Sequence, residues 1–324
     1  MSDLTPALAD RSLIAADLTE TAARAADYAR AARAENTRRA YAAGWRSFAT
    51  WCEARGLAAL PADPGTLGLY LADAAGQGAK VASLRVRLAA VVAAHRLAGH
   101  ALDTRAREIR EVWAGIRRTH GQPPAQKAPA TCGVMRGLVA AAGADLRGLR
   151  DRALVLIGFA AALRRSELVA LDVAAVQVVP EGLVLRLARS KTDQEAAGAE
   201  LAIPYGRSPE TCPVRALAAW LAAAGIAEGA VFRSILKAGR VTDRRLSDRD
   251  VARIVKRLAE AAGHDPARFA GHSLRAGFAT SAAEAGASEA AIQRQTRHKS
   301  LNVLRGYIRR GSLFQDHAGA VLGL

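Results

Sequence analysis

The sequence predicts a mainly α-helical protein that carries one small antiparallel β-sheet in its C-terminal half. Hydrophobic residues make up 51% of the chain but aromatic residues only 5%. The apolar residues are mostly Ala, Leu and Val, of which Ala and Leu favour helices. Along most of the chain apolar residues recur at spacings of three and four, as on one helix face. Alternation at a spacing of two, typical of strands, is confined to one region after residue 173.

The first 120 residues predict a tail followed by four helices. We expect residues 1–20 to be a flexible N-terminal tail. The first of the four helices is expected from Thr37, with Asn36 as its cap. Its apolar face is formed by Tyr41, Trp45, Phe48 and Cys52. Further helices are predicted after "DPGT", in "KVASLRVRLAAVVAAHRLAGH" with Ser83 as a possible cap, and in "DTRAREIREVWAGIRRTH" with Asp103 or Thr104 as cap.

The stretch "GQPPAQKAPA", residues 121–130, predicts a linker. Three prolines and a glycine cannot continue a helix. It divides the 324 residues into a helical domain, residues 21–120, and a second domain, residues 131–324.

The second domain is predicted to place its sheet between helices. "LRDRALVLIGFAAAL" is apolar nearly all round and should form a buried central helix. "AAVQVVPEG", "GLVLRLARSKTD" and "AELAIPYG" should supply the strands. After "TCPVRALAAWLAAAG" the pattern predicts helices up to the C-terminus.

The composition favours a cytoplasmic protein that binds a polyanion. The formal net charge is +16, which attracts nucleic acid at long range; a GC-rich genome that enriches Arg is the alternative explanation. Three widely spaced cysteines argue against a disulfide framework or a zinc site. No apolar run approaches the length of a membrane span. The cysteines are Cys52, Cys132 and Cys212.

Four stretches carry residues suited to chemistry: "AALRRSELVAL" (161–171), "ARSKTDQ" (188–194), "GHSLRAGFAT" (271–280) and "RHKSLNVLRGYIRR" (297–310). Taken singly, each residue has an ordinary structural explanation, such as a solvated helix end or an aromatic on a core face. Together they supply Arg164, Lys191, His272, Arg275, His298 and Tyr307.

This set is what phosphoryl transfer to a phenol requires. Guanidinium groups grip the non-bridging oxygens of a phosphate and stabilise charge that develops in the transition state. A tyrosine, with an ordinary pKa of about 10, needs cations or a base nearby to be nucleophilic, and a general acid must protonate the leaving alkoxide. The densest acidic stretch, "DRD" at 248–250, falls at a helix start. We therefore expect no metal and no cofactor.

In order and local context, these motifs resemble the tyrosine recombinases, or phage-type integrases. "LRRSEL" is similar to the first arginine box of that family, "GHSLRAGFAT" to its second, and "RHKSLNVLRGYIR" to the box that ends at the nucleophile. Lys191 occupies the hairpin position of the catalytic lysine. The likeness extends toward Cre-like members and covers about residues 34–324. It implies the two-domain architecture of the family, with a helical core-binding domain and an α+β catalytic domain that close as a clamp around DNA.

The resemblance implies a role for each residue. Tyr307 would attack a DNA phosphate and form a 3′-phosphotyrosine link, without ATP. The scissile phosphate would be bound by Arg164 and Arg275, and the leaving 5′ oxygen would be protonated by Lys191. The remaining implied roles are proton transfer by His272, a hydrogen bond to the phosphate from His298, and support of the site by Glu167.

Two positions depart from the family pattern. Its "GLR" is "ALR" here, and the glycine that usually precedes the third-box histidine is Arg297. Neither change removes a reacting group, but Arg297 alters the backbone that presents His298.

Basic residues on helix faces and in "LKAGRVTDRRLSDRD" predict DNA contacts. Arg249 would read a guanine by the resemblance, and Arg suits a bidentate guanine contact. Solvated helix faces are the alternative. The candidates are Arg38, Arg39, Arg85, Arg87, Lys237, Arg240, Arg244, Arg245 and Arg249.

The resemblance also implies the partners: double-stranded DNA with a short inverted-repeat site, and a homotetramer on two sites that forms from free monomers at the nucleoid. The tail would dock into a neighbouring subunit through Leu313, Phe314, Val321 and Leu322, or else cover its own core. The function predicted is site-specific recombination. A type IB topoisomerase-like strand transferase and a catalytically silent DNA-binding regulator are the alternatives.

Overall fold

A computed structural model describes residues 18–31, 35–122, 126–187, 198–298, 300–311 and 322. The chain divides into two compact units, Met1–Pro124 and Ala125–Leu324. Within the described ranges, no helix is both long enough and apolar enough to cross a bilayer.

The first unit is built from five helices. They are α1 (Thr19–Ala31), α2 (Glu35–Glu53), α3 (Pro64–Gly76), α4 (Val81–Leu97) and α5 (Arg107–His120). Helix α2 packs against α4, and α3 packs against α5. The face predicted for α2 is only partly buried: Phe48 and Cys52 are fully buried, whereas Trp45 lies at the edge of the core.

Helix starts in this unit differ from those expected. Helix α1 was not predicted, because its apolar face consists mostly of alanines rather than bulky side chains. Asn36 lies inside α2, and Ser83 lies inside α4, which Lys80 precedes. The carboxylate of Asp103 accepts a hydrogen bond from the backbone N–H of Arg105, two residues on. This local turn holds the chain outside the helix, so α5 begins only at Arg107.

The second unit surrounds a central buried helix. Its helices are α6 (Cys132–Ala140), α7 (Leu146–Ala160), α8 (Arg165–Ala170), α9 (Pro213–Ala224), α10 (Asp248–Ala261), α11 (His272–Glu284), α12 (Glu289–Thr296) and α13 (Leu301–Gly311). The prediction of a buried central helix is confirmed, since residues 153–158 of α7 are all buried. Helix α7 contacts α6, α8, α9, α10 and α11.

Two small antiparallel sheets complete the unit. The predicted sheet is confirmed as β1 (Val176–Val179), β2 (Gly182–Leu187) and β3 (Ala199–Pro204), paired in that order. A second pair, β4 (Arg233–Ile235) and β5 (Val241–Arg245), lies where the sequence predicted only helices. That prediction was wrong because both strands are short and β5 is mostly polar, "VTDRR", so no alternating apolar pattern marks it.

Helix α11 is held very close to the segment that precedes α6. The backbone N–H of Ala130 donates to the carbonyl of Ser273 at 2.9 Å. A Cβ atom at Gly277 would lie only 2.0 Å from the carbonyl oxygen of Ala130. Glycine is therefore required at position 277, and this contact places the N-terminal turn of α11 within the unit.

Candidate active site

The sequence-predicted catalytic residues that the structure describes lie at or near the ends of three helices of the second unit and in the middle of a fourth. Arg164 immediately precedes α8, His272 and Arg275 lie in the first turn of α11, His298 follows α12, and Tyr307 lies on α13. The predicted sixth member, Lys191, lies outside the described residues. Hydrogen bonds, ring contacts and electrostatic coupling link the described members.

The nucleophile candidate is paired with a histidine. Nε2 of His272 lies 2.9 Å from Oη of Tyr307. The pKa of His272 is lowered from 6.5, first because its ring is partly desolvated and then because Arg275, Arg164 and Arg165 repel a positive charge. The ring is therefore neutral at pH 7 and can accept the phenol proton at Nε2.

Arg275 is held rigidly behind this pair. Its side chain is buried, with the residue only 1% exposed, and Nη1 donates to the carbonyl oxygen of Ala162 at 2.7 Å. Burial, followed by repulsion from Arg164, lowers its pKa to about 10, so it stays charged at neutral pH. Nη2 is buried and has no hydrogen-bond partner among the described residues. A buried charged donor in this state favours an anion.

Glu167 joins two guanidinium groups. Nη1 of Arg164 lies 2.5 Å from Oε1, and Nη2 of Arg297 lies 2.9 Å from Oε2. Oε2 also accepts from the backbone N–H of Arg164 at 2.8 Å. Burial alone would raise the pKa of Glu167, but Arg297 and then Arg164 outweigh this effect, and the pKa is lowered. The carboxylate is therefore ionised, and it fixes the position of Arg164.

The hydrogen bonds of His298 assign its tautomer. The hydroxyl of Thr296 donates to the carbonyl of Ile292 at 2.7 Å, so it must accept from Nδ1 of His298, 2.8 Å away. Burial, followed by repulsion from Arg275 and other cations, lowers the pKa of His298 to about 4. The neutral ring thus carries its proton on Nδ1. Its ring centroid lies 5.8 Å from that of Tyr307.

Both departures from the family pattern lie at backbone positions that favour glycine. Ala162 has φ of 47° and Arg297 has φ of 52°, in the left-handed region where a Cβ is unfavourable. Ala162 presents its carbonyl to Arg275, and Arg297 ends α12 immediately before His298.

The predicted DNA-contact residues have different environments. Those of the first unit lie on α2 and α4, where Arg38, Arg39 and Arg85 are exposed. Those of the second unit lie on or beside the β4–β5 pair and at the start of α10. Arg245 is engaged within the protein, since it donates to the carbonyls of Val169 and Leu171 and pairs with Asp172. The exposed members of the second unit are Lys237, Arg240, Arg244 and Arg249.

A cleft of about 440 Å³ on the second unit was missed by the sequence analysis. Its arginines come from α7, β5 and α10, so no single stretch of sequence shows the cluster. Asp250 lies among them, and the buried Asp151 pairs with two of them. Positive charge therefore remains in excess. The arginines are Arg147, Arg150, Arg244, Arg253 and Arg257.

Comparison with known proteins identifies the class of protein that this fold and site define. The sequence profile of the phage integrase family matches residues 133–312, more than half of the chain and a range that includes all six predicted reacting residues. The chain therefore belongs to the phage integrase family, the tyrosine recombinases, and it is a site-specific DNA recombinase.

The chain is similar in sequence to XerD-type proteins. The chain is 40% identical over 290 residues to the integrase/recombinase xerD homolog of Selenomonas ruminantium, covering 88% of this chain and 85% of that protein. It is 33% identical over 162 residues to tyrosine recombinase XerD of Xanthomonas axonopodis pv. citri (strain 306), covering 49% of this chain and 50% of that protein. The predicted likeness to Cre-like members is therefore only loose.

Solved structures share the fold. XerH site-specific recombinase, bound to a palindromic difH substrate in a post-cleavage complex, has a TM-score of 0.60 at 16% identity, covering 81% of this chain and 73% of that one. A lambda integrase dimer bound to a COC′ core site has a TM-score of 0.59 at 18% identity, covering 88% of this chain and 75% of that one. The predicted fold class, mainly helical with small antiparallel sheets, is confirmed.

Proposed function

We propose that Tyr307 is the nucleophile of this recombinase and that His272 is the base that activates it. The observation that carries this proposal is the 2.9 Å contact between Nε2 of His272 and Oη of Tyr307, beside buried Arg275. Attack on a DNA phosphate forms a bond from phosphorus to the tyrosine oxygen and breaks the bond to the 5′ oxygen. The phenol proton passes to His272.

The other members of the site bind the phosphate and the leaving group. Arg164 and Arg275 bind the non-bridging oxygens and stabilise the extra negative charge of the transition state. Glu167 holds Arg164 in place. Lys191 protonates the 5′ oxygen as it leaves. Reversal of these steps by a 5′-hydroxyl restores a phosphodiester, so the phosphotyrosine link conserves the bond energy and neither ATP nor a metal takes part.

His298 requires a proton before it can assist. Because the neutral ring carries its proton on Nδ1, its Nε2 can donate to a phosphate oxygen only in the doubly protonated form. We infer that the bound phosphate, an anion, raises the pKa of His298 and so favours protonation of its Nε2.

DNA binding is proposed for both units. Residues 21–120 would form the core-binding domain and contact DNA through Arg38, Arg39, Arg85 and Arg87. Residues 131–324 would form the catalytic domain, in which Arg249 contacts a base and the arginine-lined cleft binds the phosphate backbone. The net charge of +16 supports a large phosphate-driven part of the affinity. The remaining candidate contacts are Lys237, Arg240, Arg244 and Arg245.

The assembly is proposed to follow the pattern implied by the family. Two short inverted-repeat sites would be held by a homotetramer that forms from free monomers in the cytoplasm, at the nucleoid. The C-terminal segment would dock into the neighbouring subunit. Of its apolar residues, Leu313, Phe314 and Val321 lie outside the described residues, whereas Leu322 is described and exposed.

Trapping of the covalent intermediate tests the proposal. A DNA site is first selected by repeated binding of the wild-type protein to a randomised duplex pool. Duplexes of the selected sequence are then given a nick at successive positions, so that cleavage near the nick releases a short fragment and prevents religation. Wild-type protein should form an adduct that survives SDS, and Tyr307→Phe should form none while binding the duplex equally well. A wild-type protein that binds the site but never becomes covalently attached would contradict the proposal and favour a silent regulator.

A further inference from the structure

Arg297 adopts a backbone conformation that a large side chain disfavours. Its φ is 52°, in the left-handed region, where a residue other than glycine is strained. A strained residue persists where the surrounding contacts compensate for it. Two contacts compensate at Arg297: its backbone N–H donates to the carbonyl of Gln293 at 2.7 Å, and its Nη2 forms a 2.9 Å ion pair with Oε2 of Glu167.

That ion pair changes how the charge of Glu167 is shared. With Arg164 as its sole partner, the buried carboxylate would form a closed one-to-one pair and would neutralise the guanidinium that faces the substrate. Instead each carboxylate oxygen has its own guanidinium, Arg164 on Oε1 and Arg297 on Oε2. Oε2, which also accepts from the backbone N–H of Arg164, is thus paired with a second guanidinium rather than with that of Arg164.

The charge of the site then suits the reaction. Arg164, Arg275 and Arg297 carry three positive charges, Glu167 carries one negative charge, and both histidines are neutral, which leaves a net charge of about +2 among these described residues. A phosphodiester carries about −1, and attack by a phenolate raises this to about −2 in the transition state. Without Arg297 the same groups would carry about +1.

The guanidinium of Arg297 also contributes buried N–H donors to the site. Its side chain is 14% exposed, and its Nε and Nη1 are buried with no hydrogen-bond partner among the described residues, as is Nη2 of Arg275. Unsatisfied charged donors are costly in a protein interior. Two arginines with such donors beside one carboxylate indicate a site built for an anion.

We propose that Arg297 is a positioning residue for DNA cleavage, which binds Glu167 so that Arg164 keeps its charge and orientation for the scissile phosphate. This inference rests on the proposed function of the site. It adds a third guanidinium, acting through Glu167, to the two that bind the phosphate.

The rate of adduct formation in a single turnover tests the proposal, on the nicked duplex selected with wild-type protein and at saturating protein. Arg297→Gln should lower this rate about 10- to 100-fold, less than loss of a direct phosphate donor, with the affinity for the intact duplex unchanged within about threefold. Arg297→Lys should recover most of the rate because it restores the charge. Arg294→Gln is the matched control, since Arg294 is an exposed arginine in the last turn of α12, and it should react at the wild-type rate.

The Arg297→Gly variant distinguishes the effect of the guanidinium charge on the rate from an effect on the stability of the fold. Glycine relieves the backbone strain at φ 52° and leaves space for a small cation, so millimolar guanidinium chloride should raise the adduct rate of this variant several-fold and leave Arg294→Gly unaffected. A residue that only maintained the fold would give no such rescue, and its loss of rate would follow the melting temperature.

Three results would overturn the inference. The first is that Arg297→Gln and Arg297→Gly form the adduct at the wild-type rate. The second is that neither Arg297→Lys nor added guanidinium restores a lost rate. The third is that weaker DNA binding fully explains the loss of rate. Failure of the wild-type protein itself to form an adduct would instead contradict the proposed function, and the inference with it.

Discussion

Nε2 of His272 and Oη of Tyr307 lie 2.9 Å apart, although 35 positions separate them in the chain. The contact is made because α13 packs along α11: buried Leu304 joins Ala279 and Ala283 in a small core, and Tyr307 packs at its edge. The nucleophile candidate therefore lies beside His272, the proposed base, of its own chain. Four predictions follow from the site and its surroundings.

Replacement of His272 should remove the base. His272→Asn is expected to lower the rate of adduct formation about 10²- to 10⁴-fold, the usual contribution of a general base. Because the pKa of His272 is lowered from 6.5, the base form persists as the pH falls through 6.5 and is lost only below it. In a His298→Asn background, which removes the second titrating histidine, the rate at limiting DNA reports the free enzyme and should thus stay constant down to about pH 6.5. A decline that begins well above pH 7 would contradict this assignment.

The contribution of His298 should increase as the pH falls. Its Nε2 can donate to the phosphate only when the ring is protonated, so the ratio of wild-type rate to His298→Asn rate should rise between pH 8 and pH 6. Each ratio is taken at one pH, which cancels the titration of His272. Thr296→Val removes the acceptor of Nδ1–H and permits the tautomer with its proton on Nε2. It should therefore flatten the pH dependence, and an unchanged slope in this variant would show that Thr296 does not select the tautomer.

Gly277→Ala should destabilise the second unit and displace the catalytic residues of α11. The added Cβ would meet the carbonyl oxygen of Ala130 at 2.0 Å, and overpacking of this kind costs about 1–3 kcal/mol. Thermal unfolding and adduct formation should both be impaired. Gly133→Ala is the matched control, because a Cβ there meets nothing within 4 Å. It should leave both measurements unchanged or slightly raise the stability, and equal effects of the two variants would refute the steric explanation.

Removal of cleft arginines should weaken DNA binding without changing its sequence preference. Arg253→Ala and Arg257→Ala each remove one proposed phosphate contact, so the slope of log affinity against log salt should fall by about 1 per variant. Lys256→Ala provides a control, since Lys256 is exposed on α10 and does not line the cleft. Salt slopes that match the wild-type slope in both arginine variants would exclude the cleft from the DNA interface.

The sequence was informative where a pattern is local. The buried helix α7 was predicted from a run of apolar residues, and the sheet β1–β3 from alternation and turns, since both patterns report burial directly. The family was recognised from short motifs whose order along the chain is specific. The β4–β5 pair was missed because strands of three and five residues are held by pairing with each other more than by their own sequence.

By itself, the sequence determined which residue types can perform phosphoryl transfer and in which order they occur. Its resemblance to the family also marked position 297 as one where an arginine stands in place of the usual glycine. The tertiary structure alone decided which group that arginine contacts, because its partner Glu167 lies 130 positions earlier. The two residues are brought together by helices that pack in series: α8 on α7, α7 on α11, and α11 on α12. The tertiary structure likewise determined the tautomer of His298 and brought the arginines of the cleft together. Electrostatic interactions depend on distance in space, and distance in space is set by the fold rather than by spacing along the chain.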